Sequence, residues 1–248
     1  MVKKAKKIQR AEGVLIYGIH PVLELLRAKR RKLISIYTTK PVPKQWKLIE
    51  KAMPKYPVAI QYVDREVLHR MANGTDHQGL VAWVKDFAFR KKPFEPSKHP
   101  FLLLLDNIQD PRNLGAILRS AYCTGVSGVI ITSRQSAPLG AVAIKASAGL
   151  AEHLEIQQVS SAQMALNELK QAGYGIYLAA LGGENAMAAS YDMPLCLVIG
   201  NEAVGIERQL LKYGKTITLP QKEADTSYNA SVAAGILLFT ISSRNKIV

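Results

Sequence analysis

The chain has 248 residues, 48% of them hydrophobic and 21% charged, with a formal net charge of +14. That apolar content supplies real cores for one large or two modest domains and excludes a chain that is disordered throughout. Two cysteines without metal-ligand spacing exclude a disulfide framework and predict no metal site, and no apolar run of about 18 residues is present to span a membrane.

The charge is polarised. Residues 1–100 hold 22 Lys and Arg against 8 Asp and Glu, whereas residues 101–248 hold 11 of each. A basic segment joined to a neutral one predicts that the first part meets a polyanion, nucleic acid before all others, while the second does something else. A merely solubilising Lys-rich surface is the competing explanation. An anionic membrane would call for a long basic amphipathic helix with an aromatic face, and none is visible. The opening "MVKKAKKIQRAEG" is basic but lacks the apolar stretch of a secretory signal, so a cytoplasmic location is expected.

Residues 1–12 read as a basic, flexible tail. A small α/β domain follows over 13–85: a helix with Pro21 near its start, a strand over Leu33 to Tyr37, a helix ending before Pro54, the strand "VAIQYV", a helix opened by Asp64 as N-cap, and the strand "GLVAWV". This is an αβαβαβ order. Residues 86–99, rich in Pro and Lys/Arg without a sustained period, read as a linker. From 100 to 248 near-continuous apolar strands ("FLLLL", "GVIIT", "LEIQQV", "GIYLAAL", "LCLVI", "TITL") alternate with helices, including one from about Leu114 to Thr124, one in "GIERQLLKYG" and one from about Ser227 to Ser243. The pattern predicts a parallel sheet covered on both faces, with functional residues at the carboxyl ends of its strands. Cys123 and Cys196 lie in apolar runs and are expected to be small buried thiols.

Three loops carry polar groups beyond what folding requires. In "DNIQDPRNLGAILRSA", Pro111 suits a helix start, Asn113 can cap, and Arg119 follows two turns on, placed to share a side with Asn113. In "LVIGNEAVGIERQLL", Gly200 and Gly205 frame Glu202, as a backbone that approaches a ligand closely would need. In "TITLPQKEADTSYNASVAAGILLF", Ser227, Asn229 and Ser231 cluster before an apolar helix, more than one cap demands. Taken singly, each has a plain alternative: a solvated helix Arg, an ordinary strand-to-helix turn, an N-cap. Neither a phosphate-binding Gly-Lys loop nor a Gly-x-Gly-x-x-Gly fingerprint is present, which argues against a nucleotide-dependent oxidoreductase. His20 and His77 read as turn or capping residues.

In this order and spacing the loops resemble the three signature motifs of the SpoU (TrmH) family of RNA ribose 2′-O-methyltransferases, within the SPOUT superfamily. "YGIHPVLELL" and "HQGLVAWV" are similar to the substrate-binding domain of the bacterial branch that methylates a guanosine ribose in large-subunit (23S) ribosomal RNA. The resemblance implies an α/β fold: a C-terminal parallel-sheet domain with a deep trefoil knot, and a small N-terminal domain of the ribosomal-protein L30e type. It implies S-adenosylmethionine bound around Leu181, Gly200, Leu219, Tyr228 and Asn229, and a homodimer with the site near its interface. Asn113, Arg119, Glu202, Ser227 and Asn229 match the catalytic motif positions. Where the family has Ser-Leu-Asn-Val-Ser, this chain has Ser-Tyr-Asn-Ala-Ser, so Tyr228 is expected to reshape the adenine pocket.

A guanidinium has a reference pKa above about 12 and is a poor base. Arg119 is therefore expected to hold a phosphate and stabilise charge developing on the 2′ oxygen, with Asn113 and Glu202 fixing Arg119 and the ribose, and Ser227 and Asn229 shaping the pocket wall. RNA affinity is expected from Lys3, Lys4, Lys6, Lys7, Arg27, Lys29, Arg30, Arg31, Lys32 and Arg112, contacts that position RNA without reading its sequence. Transfer RNA as substrate, and an RNA-binding assembly factor without catalysis, are the alternatives.

Overall fold

In the computed structural model, which describes residues 13–74, 76–223 and 227–248, the chain divides into two units, Met1–Phe87 and Ala88–Val248. Lys3, Lys4, Lys6 and Lys7 lie outside the described residues.

The first unit runs β1 (Val14–Tyr17), α1 (Ile19–Ala28), β2 (Leu33–Thr38), α2 (Trp46–Ala52), β3 (Ala59–Tyr62), α3 (Arg65–Ala72) and β4 (Leu80–Val84). Its sheet has the order β1-β4-β2-β3, with β2 and β3 parallel and β4 antiparallel to both β1 and β2. The predicted αβαβαβ order omitted β1. This strand is only four residues long, and its partner β4 lies far along the chain, with Val14 opposite Val84 and Tyr17 opposite Val81. Helix α1 buries Pro21, Val22, Leu23, Leu25 and Leu26 and stops at Lys29, which takes the left-handed conformation with its N–H on the Leu25 carbonyl. Asp64 occupies the N-cap position of α3, but its side chain makes no cap hydrogen bond.

The second unit runs β5 (Phe101–Leu105), α4 (Pro111–Cys123), β6 (Gly128–Thr132), α5 (Ala141–Ala146), β7 (Ile156–Val159), α6 (Ala162–Gln171), β8 (Gly175–Asn185), β9 (Leu195–Ile199), β10 (Lys215–Thr218) and α7 (Ala230–Arg244). Its sheet has the order β10-β8-β9-β5-β6-β7, and every pairing is parallel. Strands β5, β6 and β9 are buried at every position, as strands covered on both faces must be. Each fully buried Leu among them contributes roughly 1.5–3 kcal/mol relative to exposure.

The segment read as a linker over 86–99 belongs to the second unit from Ala88 on: Phe94 is buried in its core, Arg90 bridges to Gln157, and the Arg90 guanidinium donates to the Glu155 carboxylate. Helix α4 begins at Pro111, earlier than predicted, with Asp110 as its N-cap accepting from the Arg112 N–H, so Asn113 sits in the first turn and caps nothing. "GIERQLLKYG" forms a 3₁₀ helix over Arg208–Tyr213 in place of the α-helix expected. The last helix starts at Ala230, after Ser227, because Asn229 takes the N-cap. Cys196 is buried but Cys123, on the outer face of α4, is exposed. Arg31 is only 7% exposed, with its guanidinium 5.5 Å from the Phe87 ring centre, and so is no surface phosphate contact.

Candidate active site

The three polar loops meet at the carboxyl ends of β5, β9 and β10. Strand β5 is followed directly by Asp106 and Asn107. Asn107 adopts a left-handed backbone (φ 56°), and its N–H donates to the Thr132 hydroxyl at the end of the neighbouring β6, 2.9 Å away. Asp106 is 4% exposed; burial pushes its carboxyl up, nearby Glu207 pushes it the same way, and a hydrogen bond with Thr132 opposes both. In the next loop Gly200 follows β9, and a Cβ there would lie 2.4 Å from the carbonyl carbon and oxygen of Gly205, so only glycine lets the loop fold back on itself. That fold is secured by Asn201 and Gly205, which exchange backbone hydrogen bonds, and by the Asn201 side chain, which accepts from the Ala203 and Val204 N–H groups. Its amide also donates to the Asn107 carbonyl (2.8 Å), latching the second loop to the first.

Glu202 is the hub. One carboxylate oxygen accepts from the Gln109 N–H (3.2 Å), and the other from the Asp110 N–H (3.2 Å) and the Asn113 side-chain amide (3.1 Å). Partial burial disfavours its charge, but the hydrogen bonds from Asn113, from its own backbone, and from Gln109 and Asp110 outweigh that, leaving the carboxyl below its ordinary range. The Asn113 oxygen in turn accepts from the Asn229 amide at 3.2 Å. Asn229 then caps α7, its oxygen accepting from the Ser231 N–H (2.9 Å), the Ser231 hydroxyl (2.6 Å) and the Val232 N–H (3.4 Å). One chain of hydrogen bonds thus runs Glu202, Asn113, Asn229, α7, through all three loops.

Beside this chain opens a cavity of about 470 Å³. Leu181, Gly200, Glu202, Leu219, Ser227 and Tyr228 all line it, as do small residues such as Ala179, Ala203 and Ala233. Its size is within the range of small-molecule sites. Its wall combines backbone groups at Gly200 to Gly205 with apolar side chains, which suits a nucleoside with an aliphatic tail held mainly by backbone hydrogen bonds. The Tyr228 hydroxyl donates to the Pro220 carbonyl (3.1 Å), tying the start of the third loop to its end. Thr218 accepts from the Gly183 N–H and donates to the Ala180 carbonyl, fixing the irregular register of β8 and β10 where the cavity begins.

Asn113 and Asn229 adjoin the cavity but do not line it. Arg119 stands apart. It is exposed on α4 and makes no hydrogen bond or ion pair with Asn113 or Glu202, contrary to expectation. Six residues advance a helix by about one and two-thirds turns, so the two side chains diverge; Arg119 instead shares an exposed stripe with Arg112, seven residues earlier. Sequence reading did not single out Asn201, Thr132 or Arg208, which lines the cavity. An Asn between two ligand-approaching glycines was the available signal for the first. Among the described residues no group of three or more His, Cys, Asp or Glu is gathered to hold a metal ion, and no helix is long and apolar enough to cross a membrane.

The model of the SpoU rRNA methylase family matches residues 100–239, and that for RNA 2′-O ribose methyltransferase substrate binding matches residues 15–89. A 23S rRNA (guanosine-2′-O-)-methyltransferase RlmB of Pasteurella multocida is 34% identical over 91% of this chain and 96% of its own length. The protein of the same name from Photorhabdus laumondii is 33% identical over 91% and 96%. Among solved structures, an AdoMet-bound rRNA methyltransferase from Sinorhizobium meliloti has a TM-score of 0.78 at 22% identity, covering 95% of this chain and 88% of that one. The SpoU methyltransferase AviRb from Streptomyces viridochromogenes has a TM-score of 0.81 at 19% identity, covering 96% and 91%.

Proposed function

The chain belongs to the SpoU rRNA methylase family, and on that premise we propose that it transfers a methyl group from S-adenosylmethionine to a ribose 2′-hydroxyl of RNA, with a guanosine of 23S ribosomal RNA as substrate. The observation that carries this reading is the hydrogen-bond chain from Glu202 through Asn113 to Asn229, which joins the three loops beside a cavity lined by four of the five expected cofactor residues, Leu181, Gly200, Leu219 and Tyr228. The substrate follows from the relatives of the same length and from the match of the first unit to a substrate-binding domain. The trefoil knot and a cytoplasmic location belong to the same proposal.

Leu181, Gly200, Leu219 and Tyr228 would hold the cofactor, with Asn229 setting the end of α7 behind them. When bound, S-adenosylmethionine supplies an electrophilic methyl on a sulfonium. What the protein adds is chiefly position, since two reactants held in line need little further chemistry. Glu202 and Asn113 keep the loops that frame the reacting groups in register. Arg119 holds an RNA phosphate and stabilises negative charge developing on the 2′ oxygen.

We place a second copy of the chain over α4 and α7. Val232 and Phe239 stand seven residues apart on one side of α7, and both are exposed, Phe239 to 61%; Tyr122 on α4 is exposed as well. Apolar side chains at helical spacing on helices flanking the site suit an isologous dimer contact.

Titration of the full chain with S-adenosylmethionine in a calorimeter tests the reading. Saturable binding, one cofactor per chain, is expected. Absence of binding would leave an RNA-binding factor without catalysis. Transfer to tRNA in place of rRNA would overturn the substrate and keep the chemistry.

A further inference from the structure

The first unit carries a cleft of its own, about 580 Å³, lined by Thr39, Lys40, Pro41, Tyr62, Asp64 and Arg65 among others. Its position follows from topology. Strands β2 and β3 run parallel with Thr38 opposite Tyr62, so the chain segments leaving both strands open at the same end of the sheet. Strand β3 is the sheet edge, and all four of its residues are exposed. Tyr62, 49% exposed, closes that strand, and the Lys40 ammonium lies 4.3 Å from its ring centre. Arg65 and Lys40 are both exposed. Asp64 is exposed as well, and its carboxylate makes no cap bond to the helix it precedes.

Nothing in this arrangement serves the core: a half-exposed aromatic ring on an edge strand buries little, and the two cations are not spent on cap or core contacts. Together the groups match the parts of one nucleotide. A flat π face accepts a stacked base of any sequence, as in single-strand binding proteins, two cations suit the adjoining phosphates, and a free carboxylate can accept from the N–H edge of a base. The ammonium on its flexible stem is held over the ring by a cation–π contact that a stacking base can replace, releasing the charge to a phosphate.

We propose that the cleft of Lys40, Tyr62, Asp64 and Arg65 binds one unpaired nucleotide of the RNA substrate, its base stacked on Tyr62 and its phosphate held by Lys40 and Arg65. This rests on the reading of the chain as an RNA-modifying enzyme and concerns a nucleotide other than the one methylated. A guanosine is the natural probe, since its edge offers two neighbouring N–H donors to the Asp64 carboxylate.

The test compares the full chain and its variants for binding to a labelled RNA hairpin with one bulged guanosine and to the same hairpin fully paired, by fluorescence anisotropy at several salt concentrations. Wild type should prefer the bulged hairpin. Tyr62→Ala should weaken bulged-hairpin binding about tenfold and leave the paired hairpin unchanged, Tyr62→Phe should bind as wild type, and Lys40→Ala and Arg65→Ala should each lower the salt slope by about one. Unchanged binding by Tyr62→Ala, or equal losses on both hairpins, would overturn the proposal while leaving the enzyme assignment intact. Failure of wild type to bind either hairpin, together with failure to methylate ribosomal RNA, would overturn both.

Discussion

The side-chain amide of Asn113 donates to the Glu202 carboxylate across 3.1 Å, joining residues 89 positions apart in the chain. The contact makes a carboxylate at the end of β9 the organiser of the loop that follows β5. Because Asn113 also accepts from Asn229, the geometry of the cavity wall depends on side chains that mostly stand behind it.

Glu202→Gln is expected to lower stability by about 1–3 kcal/mol at neutral pH, since a neutral amide serves poorly as acceptor for the Gln109 and Asp110 N–H groups. The lower end is favoured by the partial exposure of the group. The folded carboxyl titrates below its ordinary 4.5, so its contribution is present in full above that pH and is lost as the pH falls through the folded value. Urea unfolding of both proteins from pH 7 downward should show the gap closing only on the acid side of 4.5. A gap that closes as the pH rises would contradict the assignment.

Asn229 has two separable roles. Asn229→Ala should cost about 1 kcal/mol through loss of the α7 cap. Asn229→Asp keeps an acceptor for the Ser231 and Val232 N–H groups but cannot donate to Asn113, so it should retain most of the stability and still weaken cofactor binding. Thermal unfolding and calorimetry on the two variants separate cap from bridge.

Gly200→Ala places a methyl 2.4 Å from the Gly205 backbone, where no flexible side chain can give way. The second loop must shift, with a destabilisation of about 1–3 kcal/mol and loss of cofactor binding. A variant that binds S-adenosylmethionine as wild type does would remove this loop from the site.

Arg119→Ala should change stability by less than about 0.5 kcal/mol, because the side chain is exposed on α4, yet slow methyl transfer by roughly 10²-fold or more. Cofactor affinity should stay near that of wild type, since Arg119 does not line the cavity. Single-turnover kinetics at saturating cofactor provide the check.

Much of this was legible in the sequence where a residue's fate is decided locally. Runs such as "LLLL" and "LCLVI" announce strands buried on both faces, and the parallel sheet follows from their alternation with helices. That Glu202, Asn113 and Asn229 share one site was implied only by the resemblance of the three loops to the family motifs; the hydrogen bonds that join them are seen in the structure. Strand β1 was hidden because only its pairing with β4 makes Val14–Tyr17 a strand. Asn113 was given the cap that Asp110 holds because Pro111 at N1 fixes the helix start one turn earlier than the apolar period suggests. Arg31 lies in a cationic run, and composition cannot tell which member of a run turns inward against Phe87. The direction of Arg119 required the helical phase, which counting along the sequence approximated too loosely.

The central claim is best tested by supplying labelled S-adenosylmethionine and the purified protein to 23S ribosomal RNA that lacks the modification, then hydrolysing the RNA in alkali, which cannot cut beside a 2′-O-methyl ribose. The account predicts label in a single alkali-resistant dinucleotide that begins with guanosine, appearing roughly 10²-fold or more slowly with Arg119→Ala. Label released as mononucleotide would place the methyl on a base and contradict the assignment of ribose methylation.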